Sequence, residues 1–330
     1  MPLLEPIPLT VVAGGPEMRS LLHQLVDLGV DIAVVTPESV GAVAAPGCVV
    51  YVAADVASRS PGCPCCRVRI DLVDALATLV RRRARPTHVL VAVPDQPGEP
   101  VSSSVVAVVH TVLSDPDLRR WVRLDGVVAT LDAVSAVTRL RTGTPVVDET
   151  GAERLAMADR VLVARADQVV EESLVDLRDV VRHATRIATV LAPAVERVAA
   201  AQVLPIDAWH GAPQVIPSTG HNHGPTGTMS CHPDTVVIEQ RGLLDPGGVE
   251  AWLDEVLSRH APRLLRLQGV LAVDGSPSRV CCHGVGSFAM SHPERGHVRG
   301  PFDETSLMVV IGHGLPADEL AAGLRATAVR

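Results

Sequence analysis

Apolar and polar residues follow two different rhythms along the first two-thirds of the chain. Short runs rich in valine, typical of buried strands, are separated by stretches in which apolar residues recur every three or four positions, as in amphipathic helices. The runs predicted as strands are LTVVAG, DIAVVTP, THVLVAVP, LDGVVATLD, ADRVLVARAD and IATVLAP. The stretches MRSLLHQLVDLG and RIDLVDALATLVRRRA are predicted as helices. Because strands joined by helical crossovers form parallel sheets, this pattern predicts an α/β fold with helices on both faces of the sheet.

The pattern changes near residue 204, where the alternation of strands and helices stops. Residues 205–234 are rich in Gly, Pro, Ser, Thr and His, a composition typical of a linker. After the linker, the apolar pattern predicts a strand, a helix, three strands and a final helix. The sequence therefore predicts a parallel-sheet domain over residues 1–204 and a small α+β domain over residues 235–330.

Charge and composition narrow the classes of function. The chain of 330 residues has a formal charge of −8, which argues against binding free DNA through a basic surface. All 29 basic residues are arginine, since the sequence contains no lysine. This excludes Schiff-base chemistry and a phosphate-binding lysine, although the codon bias of a GC-rich genome is reason enough for the absence.

The sequence also predicts a compartment. The opening MPLLEPIPLTVVAGG lacks the basic start and long apolar core of a signal peptide, and no apolar run is long enough to span a membrane. The seven cysteines are odd in number and clustered, which fits reduced thiols better than a secreted disulfide framework. We therefore expect a cytoplasmic protein without a membrane partner.

The turn after the first predicted strand has the position of a nucleotide-binding loop but not its chemistry. Such a loop needs glycines whose N–H groups hold phosphate, followed by a Lys and by a Ser or Thr that binds Mg²⁺. Here Gly14 and Gly15 precede Pro16, which has no N–H, and Glu17, which puts a negative charge where phosphate would lie. Ser20 is a candidate remnant of the magnesium ligand. The turn is predicted to be a degenerate nucleotide site.

With these motifs in order, the chain resembles the CobW-type metallochaperones (the CobW/HypB/UreG group) of the SIMIBI-class P-loop GTPases. Such proteins typically read N-E-F-G after the second strand, G-C-I-C-C-T-V-R-G-D-L before a helix, E-T-T-G-L-A-D-P, L-D-G-V-V-x-V-V-D-A and A-D-x-I-x-x-N-K-x-D. The corresponding stretches here are IAVVTPESV, GCPCCRVRIDL, VLVAVPDQPGEP, LDGVVATLDAV and ADRVLVARADQV. A linker, GHNHGPTGTMSCH, and the C-terminal stretches LLRLQGVL and LMVVIGHGL extend the resemblance over nearly the whole chain.

The resemblance implies a GTPase fold, yet the nucleotide motifs of the family are missing. The family's switch-II glutamate falls on Ala92, and its glycine falls near Asp95. The guanine-reading N-K-x-D has become residues 164–167, where Asp167 alone is kept. Asp167 either still accepts hydrogen bonds from a guanine edge or caps the turn after its strand. Binding of GTP and Mg²⁺ is therefore not expected.

The metal motif of the family is kept. The resemblance places Cys63, Cys65 and Cys66 on its Cys-x-Cys-Cys motif and Glu38 on its N-E-F-G glutamate. Thiolate sulfur and carboxylate oxygen are both ligands that Zn²⁺ accepts. The alternatives are cysteines retained from ancestry without a metal, or a redox pair between Cys63 and Cys66, which lacks a thioredoxin-like context.

Further His and Cys residues lie nearer the C-terminus. The linker offers ligand types for a second Zn²⁺ site, although solvated histidines are an equal interpretation; its candidates are His221, His223, Cys231 and His232. Cys281, Cys282 and His283 lie in a predicted strand, where neighbours point to opposite faces and so do not share one ion easily. We expect Cys282 or Cys281 to belong to the core.

Three hypotheses of function follow from the residues and the resemblance. The first is a zinc-homeostasis protein that binds Zn²⁺ through the Cys motif and does not hydrolyse GTP. The second, implied by relatives linked to zinc starvation and ribosome hibernation, is a non-catalytic adaptor whose partner is a client protein or the small (30S) ribosomal subunit. The arginines of the RRRAR run at 81–85 either complement a helix dipole or contact RNA phosphates. The third is a GTPase with a rebuilt loop.

Overall fold

The computed structural model describes eleven stretches of the chain, on which all statements below rest. They are residues 5–27, 31–37, 49–51, 72–79, 85–95, 101–185, 187–192, 203–204, 206–209, 233–294 and 303–329. The chain folds into two compact units, the second of which begins at Asp207.

The first unit contains a seven-stranded parallel sheet. Its strands are β1 (Ile7–Gly14), β2 (Ile32–Pro37), β3 (Val49–Tyr51), β4 (His88–Pro94), β5 (Val122–Asp132), β6 (Arg160–Ala164) and β7 (Thr189–Leu191). They lie in the order β3-β2-β4-β1-β5-β6-β7, and every neighbouring pair is parallel. The chain first builds the sheet on one side of β1 and then on the other, so the order of strands reverses at β1. In open α/β sheets this reversal marks the crevice where ligands bind.

Helices cover both faces of this sheet. They are α1 (Pro16–Asp27), α2 (residues 72–79), α3 (Val101–Ser114), α4 (Leu118–Trp121), α5 (Ala133–Arg141), α6 (Glu149–Met157) and α7 (Glu171–Thr185), with a 3₁₀ turn at Ala166–Gln168. Consecutive residues of β5 point to opposite faces of the sheet and so mark the two helical layers. Val128 packs in the cluster with α1, whereas Ala129 packs in the cluster with α5, α6 and α7. The predicted doubly covered parallel sheet is thus confirmed.

The second unit contains a five-stranded antiparallel sheet and two helices. The strands are β8 (Asp234–Arg241), β9 (Leu264–Leu271), β10 (Val280–Val285), β11 (Phe288–Pro293) and β12 (Thr305–Gly312), in the order β11-β10-β9-β12-β8. Helices α8 (Pro246–His260) and α9 (Ala317–Ala326) share one apolar cluster with a single face of the sheet. The two helices approach closely because Gly323 lacks a side chain: a Cβ there would lie 2.7 Å from the Trp252 ring.

Two strands were not predicted from the sequence. β3 has only three residues, too few for a periodic signal. β11 carries Phe, Ala, Met, Ser, His and Pro, a sequence without the valine-rich run of the other strands. A tight turn at Gly286, where φ is +57°, folds it back on β10, with which it pairs. Among the described residues, no helix is long and apolar enough to cross a membrane.

Candidate functional site

The candidate nucleotide site lies at the carboxyl edge of the seven-stranded sheet. Gly14 of β1 stands beside Pro94 of β4, and Asp132 of β5 stands beside Ala164 of β6. The sheet therefore brings together the four segments that the sequence analysis singled out. The side chains they carry decide what the edge can bind.

The turn between β1 and α1 is folded against the end of β5. A Cβ on Gly14 would lie only 1.8 Å from Thr130 Oγ1, so a glycine is required for this approach. Glu17, in the first turn of α1, bends back over the turn, where its Oε1 accepts the N–H of Gly15 at 3.1 Å and the hydroxyl of Thr130 at 3.0 Å. The N–H group that could hold a phosphate oxygen is therefore bonded to a carboxylate of the same chain.

The end of β4, onto which the resemblance places the switch-II groups, carries an ion pair. Ala92 is fully buried opposite Val12 in the core with α1 and offers no ligand. Asp95 donates its N–H to the carbonyl of Gly14 at 3.0 Å, and its carboxylate pairs with Arg154 of α6. The side chain of Arg154 is only 6% exposed, so this ion pair is anchored in the interior of the domain.

The segment 164–167 carries a second ion pair. Arg165 takes a left-handed conformation with φ of +55°, and its guanidinium forms two hydrogen bonds to the carboxylate of Asp132. Burial raises the pKa of Asp132, but the hydrogen bonds from Arg165 and Ser135 outweigh this effect and hold it below its usual value. The pKa of Arg165 is raised chiefly by the hydrogen bond to Asp132 and further by the nearby charge of Glu17.

Asp167 and Ser20 lie apart from these contacts. Asp167 lies within the 3₁₀ turn with its side chain exposed, and Arg165 occupies the N-cap position of that turn. The prediction that Asp167 caps the turn is therefore wrong, because β6 ends at Ala164 and the N-cap position falls two residues before Asp167. Ser20 is exposed on the second turn of α1. Gly14 and Gly15 are the two candidate residues that lie in the turn itself.

These residues do not fit the phosphates of a nucleotide. Three carboxylates (Glu17, Asp95 and Asp132) and two guanidinium groups (Arg154 and Arg165) surround the turn, and both guanidinium groups are paired with carboxylates. A phosphate at Gly15 would meet the charge of Glu17 at the N–H group it needs. The carboxyl edge therefore has the fold of a nucleotide-binding domain but charges that do not suit a phosphate.

The predicted zinc ligands lie outside the described residues. This holds for Cys63, Cys65, Cys66 and Glu38, and equally for the second set formed by His221, His223, Cys231 and His232. Within the part of the chain that the structure describes, no group of three or more His, Cys, Asp or Glu side chains could hold a metal ion.

The prediction that Cys282 or Cys281 belongs to the core is confirmed, and both side chains are buried. Cys282 packs in the apolar cluster under α8 and α9, whereas Cys281, its neighbour on β10, points to the other face of the sheet. Burial raises the pKa of Cys281 to about 11 and that of Cys282 to about 12, so both thiols are protonated at neutral pH. A protonated buried thiol is a poor metal ligand.

Sequence reasoning missed a polar cluster on the same face of the β9–β10–β11 sheet as Cys281. The ring of Trp209 contacts the guanidinium of Arg266, 4.6 Å from its centroid, and the ring of His283 at 5.2 Å. His283 stacks in turn on His292 at 5.4 Å. Gln268 and His292 bond the backbone carbonyls of Ala208 and Trp209. The alternation of polar residues along β9 (Arg266, Gln268) was the only signal that could have indicated it.

Comparisons with known proteins match both domains. The sequence model described as "CobW/HypB/UreG, nucleotide-binding domain" matches residues 17–192, and that described as "Cobalamin synthesis protein cobW C-terminal domain" matches residues 234–328. A parallel α/β domain of nucleotide-binding type followed by a small α+β domain is the class that the fold defines. The chain belongs to the CobW/HypB/UreG family.

Individual relatives agree with this assignment. The chain is 27% identical to a zinc chaperone CobW of a Sinorhizobium species, covering 96% of this chain and 90% of the relative, and 28% identical to a zinc chaperone CobW of Pseudomonas aeruginosa, covering 80% and 72%. The crystal structure of the Zn(II)-bound YjiA GTPase from E. coli superimposes with a TM-score of 0.69 over 99% of this chain and 100% of that one, at 19% identity. The structural likeness supports the fold.

Proposed function

We propose that this chain is a cytoplasmic zinc-handling protein of the CobW family that binds Zn²⁺ through Cys63, Cys65, Cys66 and Glu38 and does not hydrolyse GTP. The observation that carries the proposal is a contrast within one domain. The Cys-x-Cys-Cys motif is kept in the sequence, whereas the carboxyl edge carries Glu17 and paired arginines in place of phosphate-binding groups. Two relatives named zinc chaperone CobW support zinc as the cargo.

Zinc is the expected cargo because the donor set suits it. Three thiolates and one carboxylate supply four ligands of the kinds that Zn²⁺ takes in tetrahedral sites, and thiolate sulfur disfavours the harder Mg²⁺ and Ca²⁺. A cytoplasmic location keeps these thiols reduced and able to bind metal. Because zinc is what the protein carries, its exchange with a client protein is part of the proposal.

Zinc content measured on protein purified without chelators tests the first half of the proposal. We expect one Zn²⁺ per chain by elemental analysis, and its loss in the double variant Cys65→Ser/Cys66→Ser. Cys48→Ser is the matched control, because it removes a thiol outside the motif and should leave the zinc content unchanged. A double variant that keeps its zinc would contradict the ligand set.

Variants of the linker separate the second candidate site from the first. His221→Ala/His223→Ala should leave one Zn²⁺ per chain if the linker histidines are solvated. If the content of the unmodified protein is two Zn²⁺ and falls to one in this variant, the linker holds a second ion together with Cys231 and His232.

Calorimetric titration with GTP, with and without Mg²⁺, tests the second half of the proposal, which is the loss of the GTPase function. We expect no binding tighter than about 10 μM. Tighter binding that depends on Mg²⁺ would contradict the proposed loss of nucleotide binding and would favour a GTPase with a rebuilt loop.

A second candidate function is that of a non-catalytic adaptor, with the small ribosomal subunit or a hibernation factor as partner. What favours it is that the domain keeps its sheet and its buried core although its carboxyl edge does not fit a nucleotide. Such a domain retains a surface for a partner without the chemistry of a motor. Sedimentation of lysate from zinc-starved cells is the test: the adaptor is expected with the small subunit, and a profile of free protein alone counts against it.

A further inference from the structure

The carboxylate of Glu17 lies at the amino end of α1, where an anionic ligand would otherwise bind. The amino end of a helix of twelve residues attracts negative charge, because its first N–H groups are unpaired and its dipole points toward them. Pro16 removes one of these donors, and Glu17 Oε1 occupies the N–H of Gly15. The other oxygen, Oε2, lies 2.9 Å from the position a Cβ of Gly15 would take, so the whole carboxylate lies over the turn.

A partly buried ion pair lies next to the same turn. Arg154 reaches from α6 to Asp95, whose Oδ2 lies 3.5 Å from the same Cβ position on Gly15. The side chain of Arg154 is more than nine-tenths buried, and its Nε has no hydrogen-bond partner among the described residues. The ion pair with Asp95 therefore leaves one buried N–H of this guanidinium without an acceptor, which is a cost that a further acceptor would remove.

Contacts with residues outside α1 also hold the Glu17 side chain over the turn. Its Oε1 also accepts the hydroxyl of Thr130, 113 residues away in the sequence, and its charge acts on Arg165. By contrast, Glu149 also lies in the first turn of its helix, α6, but it is exposed, and among the described residues it forms no hydrogen bond to a loop. An acidic residue in a first helical turn does not by itself account for the contacts of Glu17.

From these contacts we infer that the amino end of α1 is an anion site whose occupant is the carboxylate of Glu17, and that this intramolecular contact closes the turn to phosphate. The inference rests on the proposed function, because it explains how the turn lost its ligand. The loss of phosphate binding at this turn is then due to Glu17 as well as to the missing lysine. Removal of Glu17 should therefore open the site to a polyphosphate.

Inorganic tripolyphosphate is the suitable probe, because it tests the turn without a guanine base. Titration calorimetry at low, fixed ionic strength compares the unmodified protein with Glu17→Ala, Glu17→Gln and Glu149→Ala. We expect the affinity for tripolyphosphate to rise at least tenfold in Glu17→Ala and by a smaller factor in Glu17→Gln, which keeps a hydrogen-bond acceptor but no charge. Glu149→Ala makes the same change in net charge and should stay within twofold of the unmodified protein.

Each other outcome overturns the inference. Equal affinities in Glu17→Ala, Glu17→Gln and the unmodified protein would show that Glu17 does not occupy the site, and would leave the proposed function standing. An equal gain in Glu149→Ala would reduce the effect to net charge. Tight binding of tripolyphosphate by the unmodified protein would show that the turn is already open; the proposed function itself fails only if that protein also binds GTP tightly. Glu17→Gln serves as the deciding variant if Glu17→Ala does not fold.

Discussion

The two edges of the seven-stranded sheet use charged side chains in different ways. At the carboxyl edge, Asp95 and Asp132 remain in part accessible, with side chains 39% and 16% exposed, and each is paired with an arginine. At the amino edge, Asp125 is completely buried and accepts the hydroxyl of Thr10 at 3.2 Å and the N–H of Ile206 at 2.7 Å. The cluster around Asp125 is therefore closed to solvent, whereas the two ion pairs at the carboxyl edge are partly accessible.

The amino edge shows what a structural polar cluster looks like in this domain. The hydroxyl of Thr10 gives its only hydrogen to Asp125, so its oxygen accepts the Nε2 hydrogen of His88 at 2.8 Å. The register of β1 against β5 shifts at this point, which leaves Asp125 as the extra residue, and Ile206 fills the space above Gly126. This contrast teaches that accessibility, rather than the number of charges, distinguishes the candidate ligand edge from an internal cluster.

The largest effect is expected from breaking the amino edge. Asp125→Ala would leave the Thr10 hydroxyl, the Ile206 N–H and the nearby Arg123, 3.8 Å from Asp125, without their buried acceptor. We expect a loss of about 4 kcal/mol in the free energy of unfolding. Urea denaturation measures it, and the exposed Asp167→Ala is the control that should change it by less than about 0.5 kcal/mol. A similar effect of both substitutions would remove the distinction between the edges.

A smaller loss in the free energy of unfolding is expected at acidic pH, because His88 is buried in its neutral form. Burial lowers the pKa of His88 from 6.5 to about 4, with the nearby Asp125 opposing the shift and Arg123 adding to it. Since the unfolded chain takes up this proton at a higher pH than the folded chain, the contribution is complete above pH 6.5 and is lost as the pH falls toward 4. The loss should amount to about 3 kcal/mol at pH 4.

Comparison with His88→Gln isolates this contribution. The variant lacks the titrating group, so its free energy of unfolding should fall less steeply between pH 6.5 and 4 than that of the unmodified protein. Denaturation curves at several pH values give both slopes. Parallel slopes would show that His88 does not titrate in this range.

The smallest effect is expected at the carboxyl edge. Arg165→Gly removes the ion pair with the partly exposed Asp132, which costs up to about 1 kcal/mol, but relieves a left-handed conformation that costs an arginine about as much. The two changes should cancel to within about 0.5 kcal/mol in thermal or urea unfolding. A large loss would mean that this ion pair is as structural as the cluster around Asp125.

Most strands of the parallel sheet and some features of the candidate site could be predicted from the sequence. Valine-rich runs and amphipathic stretches predicted the strands β1, β2, β4, β5 and β6, because burial on both faces of a parallel sheet leaves a continuous apolar run. The absence of lysine and the presence of Glu17 predicted that the first turn would not suit phosphate. The alternation of a strand placed Cys281 and Cys282 on opposite faces.

Other parts could not be predicted because they depend on residues far apart in the chain. Thr10 meets His88 and Asp125 only through the register of three strands, and Arg154 meets Asp95 only through the packing of α6. The short β3 and the mixed sequence of β11 have no periodic signal of their own. Sequence patterns are local, whereas these contacts are set by how distant segments align.

The sequence by itself determined the family, the two-domain pattern, the kept cysteine motif and the loss of the phosphate-binding lysine. Only the tertiary structure decided what took the place of the lost groups. It turned Glu17 back onto Gly15, joined Arg154 to Asp95 and Arg165 to Asp132, and buried Asp125 at the opposite edge. The physical reason is that residue type fixes which charges a chain carries, whereas strand register and helix packing fix which of those charges meet.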